Sequence, residues 1–321
     1  MAHRLSLLSA VAALALSGCA AGPDRVASLP QYSDVTSGPF ISAETGVTTP
    51  SPLPGDWWRL YRDPVLDTLV ADALAANTDI RQAVGRIDRA RAALRGARSD
   101  RLPQVGLSTS STYGQTPESQ TAPGSDRRGG NFSIGADLAY EVDLFGRVSG
   151  NVAASQGDVA AAQADADAVR VMVVADTTLA YANAASAASR IGVARSIVEL
   201  LDSSLGLTRL RHDAGMTDGL AVARIESLRQ QRAATIPAIE AERSAALFAL
   251  ATLTGRAPSQ LPAISGERSL PLEITTALPV GDGAELLQRR PDIRAAEQRV
   301  LADSARIGVA RADLYPRITL G

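Results

Sequence analysis

The chain has 321 residues, is 45% hydrophobic, and carries 32 basic and 34 acidic side chains for a net charge of −2. That balance excludes the basic stripe of a nucleic-acid-binding protein, and a single cysteine excludes an intramolecular disulfide. Aromatics make up only 4% while alanine is abundant, which suits long helices packed through small side chains better than one bulky core.

The first stretch, "MAHRLSLLSAVAALALSGCA", has Arg4, an apolar run from Leu5 to Leu16, then small residues. It reads as a secretory signal, too short to span a bilayer as a helix. Cys19 follows Leu16-Ser17-Gly18 and resembles the diacylated cysteine of a bacterial lipobox. Two or more acyl chains would anchor the mature chain stably. Ala20 after the cysteine resembles an outer-membrane address. From Ala20 to Gly55 the chain is rich in Pro, Gly, Ser and Thr and reads as an extended tether.

An Ala/Arg-rich helical stretch, "NTDIRQAVGRIDRARAALRGARSD", comes next and runs to Pro103, which opens the alternating "PQVGLSTSSTY". Proline is tolerated at the first residue of a strand. Val105, Leu107, Thr109 and Tyr113 share one face there. The segment "GQTPESQTAPGSDRRGG" reads as a long exposed loop. In "NFSIGADLAYEVDLF", Phe132, Ile134, Leu138 and Val142 alternate with Asp137, Glu141 and Asp143. Period-two alternation of this length predicts a strand. Apolar residues on one side and three carboxylates on the other match a membrane-barrel strand with its polar face on a watery lumen. An amphipathic strand of a soluble sandwich is the other reading of this stretch.

No proline occurs between Gly146 and Pro237. Val152, Val159, Ala166, Val173, Ala180, Ala187, Ala194 and Leu201 recur every seven residues, so one helix is expected from Arg147 to His212, about 100 Å long. "HDAGMTDG" then breaks it, with Thr217 or Asp218 as cap. A second helix is expected from Leu220 to Leu253, bent at Pro237 and stopped at Gly255. The two should fold back as a long antiparallel hairpin.

The chain closes on "RRPDIRAAEQRVLADSARIGVARADLYPRITLG", which repeats the earlier helical stretch at an offset of 213 residues. Asp79, Ile80 and Arg81 fall on Asp292, Ile293 and Arg294, and Pro103 falls on Pro316. Such spacing predicts two large structural halves rather than a solenoid.

Catalysis finds no support. There is no phosphate loop, no nucleophile elbow and no metal-spaced cluster. His3 lies in the signal, and His212 reads as a polar residue at a helix end.

Together "LSGC", "WWRLYRDPVLDTLVADALAANTDIRQA", "AYEVDLFGR", "TIPAIEAERSAALFALATLTGR" and "ELLQRRPDIRAAEQRV" resemble the outer-membrane factors of the TolC-like family, most closely the NodT-type efflux lipoproteins. The resemblance implies a mainly α fold with transmembrane β: long coiled-coil-like helices of an α-barrel, and strand hairpins of a trimeric twelve-stranded outer-membrane barrel. It implies a homotrimer in outer-membrane lipid, with helices in the periplasm. The partners would be a periplasmic adaptor and an inner-membrane pump of the resistance-nodulation-division type, exporting drugs and other toxic compounds. No cofactor, metal or nucleic acid is implied. Gly215, Met216 and Thr217 would form the adaptor-docking tip, and Asp137, Glu141 and Asp143 the barrel lumen face. The segments would be a signal peptide (1–18), a lipidated tether (19–62), helices of repeat one (63–102), a transmembrane hairpin (103–145), a periplasmic helical hairpin (146–256), an equatorial linker (257–282), a helix of repeat two (283–314) and the start of its strand (315–321). Family members continue further, so this chain is expected to be truncated. Three copies would supply six complete strands, below the roughly eight of the smallest barrels, and no working channel is expected from it alone. The other functional reading is a lipid-anchored coiled-coil adaptor or envelope scaffold, which would not need the strand pair.

Overall fold

The structure, a computed structural model, describes residues 47–321 apart from Thr121, Pro123 and Ser125. The signal sequence, Cys19 and most of the tether lie outside the described residues. The chain falls into two compact units. One comprises Arg86–Gln163 and Arg294–Gly321. The other comprises residues 47–85 and Ala164–Ile293.

The second unit holds the main core. Helix α1 (Pro64–Ala76) starts where Asp63 accepts hydrogen bonds from the backbone N–H of Val65 (2.8 Å) and Leu66 (3.1 Å). Pro64 sits at the first helical position, where a missing N–H costs nothing. Leu66, Leu69, Val70 and Ala73 recur at helical spacing and are buried. Leu66, Leu69 and Val70 pack with Val174, Ala180, Tyr181 and Leu250, flanked by Trp57, Trp58 and Tyr61. The end of the expected tether is tied down here: β1 (Thr48–Thr49) pairs in parallel with β4 (Leu278–Pro279), and Trp57–Tyr61 forms a single helical turn.

The other carboxylate oxygen of Asp63 accepts from the Tyr181 hydroxyl at 3.2 Å and from Arg268 Nη1 at 2.8 Å. Asp63 is only 5% exposed, so its charge depends on these partners. Burial, then the neighbouring Asp63 charge, pushes the Tyr181 phenol up to about 12.

Helix α2 (Thr78–Ser99) is capped by Asn77, whose Oδ1 accepts from Asp79 and Ile80 N–H. Its Nδ2 donates to the carbonyl of Leu253, 176 residues away. Helix α3 (Arg147–Asp213) is a single helix of 67 residues. Of its heptad ladder, Val152, Ala166, Val173, Ala180 and Ala187 are buried.

The second helix of the hairpin is interrupted where the bend was expected. It is two helices, α4 (Gly219–Ala233) and α5 (Ile236–Leu253), joined by Ala234 and Thr235, which keep helical dihedrals. The ring of Pro237 would clash with the Ala233 carbonyl of a continuous helix and lacks the N–H to bond it. The hydrogen-bond ladder therefore lapses here, and Pro237 enters the first turn of α5. Ion pairs join these helices to α3: Arg190–Glu242, Arg195–Glu240, Arg229–Asp202 and Arg209–Glu226. One partner's number falls as the other's rises, so the hairpin is antiparallel. Exposed pairs of this kind add little stability but set the register. Further along the chain come α6 (Gly283–Arg289) and α7 (Pro291–Ala312).

In the other unit, β2 (Gln104–Gln115) pairs antiparallel with β3 (Arg128–Glu141), from Gln104↔Ala139 to Gln115↔Arg128. β5 (Thr319–Leu320) pairs antiparallel on the far edge of β3, giving the order β2-β3-β5. The strands run further into the expected loop than the pattern suggested, and β3 stops at Glu141 rather than Phe145. Leu107 and Ile134 are 83% and 77% exposed. On the polar face, Gly106 leaves the room that the Asp137 carboxylate occupies.

Helix α7 packs against the start of α3 through glycine notches. A Cβ on Gly150 would stand 2.8 Å from Val309 Cγ2, and one on Gly157 would stand 2.9 Å from Ala302 Cβ. Both α2 and α7 have 22 residues, and shifting Thr78–Ser99 by 213 gives the bounds of α7.

Three substitutions test this packing. Gly157→Val should lower stability by about 1–3 kcal/mol through overpacking. Gly192→Ala, at a helix position with open space around it, should be neutral or stabilise by up to about 1 kcal/mol. Thermal melts followed by helical circular dichroism compare them. Tyr181→Phe should cost about 1 kcal/mol and flatten the pH dependence. The fold favours the neutral phenol, so its contribution is complete below the ordinary tyrosine value of about 10. That contribution is lost as pH rises towards about 12, so melts across this window should decline less steeply in the variant.

Candidate functional site

The expected polar triple of β3 is divided among three tasks. Asp137 lies on the hairpin's polar face, opposite Gly106. Next to it on the same sheet, Ser110 and Ser133 share a 2.7 Å hydroxyl hydrogen bond. Glu141 is the last strand residue and is gripped by Arg147 through two hydrogen bonds, one of 2.7 Å from Nε to Oε1. Asp143, expected on the strand, lies beyond it. Its carboxylate accepts from Val148 N–H at 3.0 Å and Ser149 N–H at 2.8 Å, capping the longest helix of the chain.

The hydrogen bonds from the Val148 and Ser149 N–H groups hold the Asp143 carboxylate at the helix start. A negative group at a helix N-terminus is favoured by the unpaired N–H groups and the dipole. Gly146, at φ +78°, makes the turn between strand and helix. Strand and helix are therefore joined by a charged, hydrogen-bonded corner. The ring of Phe145 stacks on Tyr315 at 4.7 Å in the same unit.

The tip of the helical hairpin is a tight turn. Met216 N–H bonds to Arg211 O and Gly215 N–H to His212 O, both at 2.8 Å, with Gly215 at φ +72°. This is the glycine-ended helix stop in which a left-handed residue satisfies the last carbonyls. Asp218, not Thr217, caps α4 by accepting from Ala221 N–H. Met216 is 71% exposed, Gly215 is exposed and Thr217 is half-buried. His212, read from sequence as a plain polar helix end, donates from Nδ1 to the Thr217 carbonyl at 3.0 Å and pins the turn.

The structure keeps the strand site and the tip site far apart in sequence and in different units. Sequence reasoning missed the Asp63–Tyr181–Arg268 cluster. The Asp63-Pro64 step was a helix-start signal, but nothing local pointed to Tyr181 or Arg268. An apolar cavity of about 430 Å³ near Trp57, Trp58, Leu74, Val174 and Leu286 was likewise not foreseen. Among the described residues no group of three or more His, Cys, Asp or Glu could hold a metal ion. No described helix is long and apolar enough to cross a membrane.

Comparison with known proteins gives a consistent result. The family model for outer membrane efflux proteins matches residues 69–256 and 283–321. The probable efflux pump outer membrane protein SepC of Pseudomonas putida is 31% identical over 322 residues, covering 98% of this chain and 66% of SepC. The outer membrane protein OprJ of Pseudomonas aeruginosa is 31% identical over 268 residues, covering 83% of this chain and 55% of OprJ. Among solved structures, the outer-membrane channel OprN is 35% identical with a TM-score of 0.81, over 92% of this chain and 66% of that one. The open-state MtrE outer membrane channel of Neisseria gonorrhoeae is 27% identical with a TM-score of 0.71, over 92% of this chain and 65% of that one. The chain thus spans between 55% and 66% of the length of these relatives. Since the family match takes in the strand hairpin, the long helical hairpin and the closing helix and strand alike, the chain belongs to the outer membrane efflux protein family.

Proposed function

We propose that the chain is the outer-membrane channel component of a tripartite efflux system that exports small toxic molecules from the periplasm. It works as a homotrimer with a periplasmic adaptor and an inner-membrane pump of the resistance-nodulation-division type. The observation that carries this reading is the β2-β3-β5 sheet, with its apolar side chains exposed and its strand β3 running through a capped corner into a 67-residue helix. A soluble sandwich would cover that apolar face; a lipid-facing barrel strand leaves it bare. An adaptor or scaffold has no use for such strands.

In this reading each of the two offset helix–strand segments belongs to one structural repeat, and three chains contribute these strands to a shared barrel. The face carrying Asp137 and Glu141 lines the lumen, with Asp143 at its rim. Cys19 is the lipid attachment point, and Gly215, Met216 and Thr217 meet the adaptor. The names of relatives tie them to toluene, fusaric acid and cations. Such a range suits a tunnel that selects little by itself. No catalytic step is needed; transport energy would come from the pump.

Loss of the chain from its bacterium should raise susceptibility to at least one class of small toxic compound. The protein should fractionate with outer membranes and migrate heat-modifiably on gels. Unchanged susceptibility together with inner-membrane fractionation would favour the adaptor reading instead. Gly215→Trp and Thr217→Trp should lower export while outer-membrane trimers persist; full export at normal expression would remove the docking role. Mass spectrometry of the mature N-terminus should find a diacylated Cys19, and an unmodified chain starting elsewhere would refute lipid attachment.

A further inference from the structure

The three helix–strand junctions of the sheet unit lie at one end of the sheet. β2 starts at Gln104 opposite Ala139, and β5 pairs Thr319 with Glu141, so the chain enters or leaves all three strands at nearly the same level of β3. Each junction carries one bare leucine outside the strands. Leu102, Leu144 and Leu314 are 63%, 59% and 83% exposed. They continue the apolar exposure of Val105 and Leu107 beyond the strand.

Helix α2 adds charge to this edge. Its last turns bear Arg89, Arg91, Arg95 and Arg98, and Asp100 and Arg101 follow it, Arg101 acting also on Asp143; all five arginines are exposed. Neither Arg95 nor Arg98 has an ion-pair partner among the described residues. The counterpart helix α7 keeps the cation at one register, where Arg98 falls on the exposed Arg311, and differs at two others. Shifted by 213, Arg89 falls on Ala302 and Arg95 on Gly308, both buried. Ala302 lies against Gly157 of α3, so that face of α7 is a close helix-packing seam. Two of the small residues of that seam are thus long cations in α2, which suits this end of the helix to anions.

Arg95 stands four residues before the end of α2, about 6 Å along the axis, and Arg98 and Arg101 stand closer to the strand. A long guanidinium arm and a screening length of about 8 Å put all three within reach of a surface at the junction level. From these observations we infer that Arg95, Arg98 and Arg101, with Leu102, Leu144 and Leu314, form a seat for anionic phospholipid headgroups on the periplasmic side of the membrane. The leucines enter the acyl boundary and the arginines bind the phosphates, as guanidinium forks do. The inference rests on the membrane reading above.

The test uses the full chain with Cys19→Ser, reconstituted into mixed phosphatidylglycerol and phosphatidylcholine vesicles. A fluorophore is attached at L102C or, separately, at L107C in mid-strand. Quenching by brominated lipid at L107C reports whether the strands meet lipid at all. At L102C, brominated phosphatidylglycerol should show an apparent association constant at least about fivefold above that of brominated phosphatidylcholine, given roughly a fivefold gain per arginine near an anionic surface. R95Q/R98Q/R101Q should bring the ratio close to one without changing quenching at L107C. Equal quenching by both lipids at L102C in the unsubstituted chain would reduce the seat to a plain apolar boundary and overturn the inference. Quenching at L107C but none at L102C, as when a second copy covers the edge, would overturn it and leave the membrane reading standing. Absence of quenching at both sites would overturn both.

Discussion

The buried carboxylate of Asp63 is the constraint around which the core is built. At 5% exposure it is an anion that has lost its water, and such a charge is tolerated only when its lone pairs are filled. Two are filled by the first N–H groups of α1, one by the Tyr181 phenol and one by Arg268. A single side chain thereby fixes the start of a short helix, the rotation of the longest helix and the path of a linker more than 200 residues away in sequence. The apolar stripe of α1 can then meet Val174, Ala180 and Leu250 in one register. Asn77 repeats the device on a smaller scale, capping α2 with one amide atom and holding Leu253 with the other.

The strand-bearing unit follows different physics. Its sheet has little covering on either face, so it gains little from a buried core of its own. Order comes from backbone ladders, from the Asp143 cap and from the Arg147–Glu141 grip. Close packing appears where α7 meets α3, and there it relies on absent side chains. Gly150 and Gly157, seven residues apart, bring the backbones together at a distance no other residue permits. Alanine and glycine in this chain act as spacers set to near zero. Such packing draws on dispersion between close backbones rather than on large apolar area.

In the efflux channel proposed above these two styles would serve one purpose. A tunnel wall of helices needs thin, regular contacts that repeat along its length, which heptads of small residues supply. A barrel wall needs strands that are apolar on one side and wet on the other, which alternation supplies. The corner between them must turn the chain sharply while leaving no N–H or carboxylate without a partner near the membrane, where each orphan costs several kcal/mol. Here Gly146 makes the turn, Asp143 takes two helix N–H groups and Arg147 takes the Glu141 carboxylate.

The sequence by itself determined everything that depends on periodicity and local chemistry. The long helix showed as an unbroken heptad ladder, the strands as alternation, and the hairpin tip as glycines beside a capping aspartate. The two helix–strand segments showed as an offset of 213, because side-chain spacing follows the geometry of each element directly. The tertiary structure alone decided which carboxylates face water and which are spent inside. Asp137, Glu141 and Asp143 share one alternating pattern, yet one lies on the sheet, one holds an arginine and one caps a helix. A helix N-terminus draws a nearby carboxylate regardless of the strand pattern that precedes it. The partners of Asp63 were hidden for a like reason: they are brought together across the whole chain. Pro237 did mark its own disturbance, because its missing N–H and its ring are local chemistry; the structure decided only that the ladder lapses at Ala234 and Thr235.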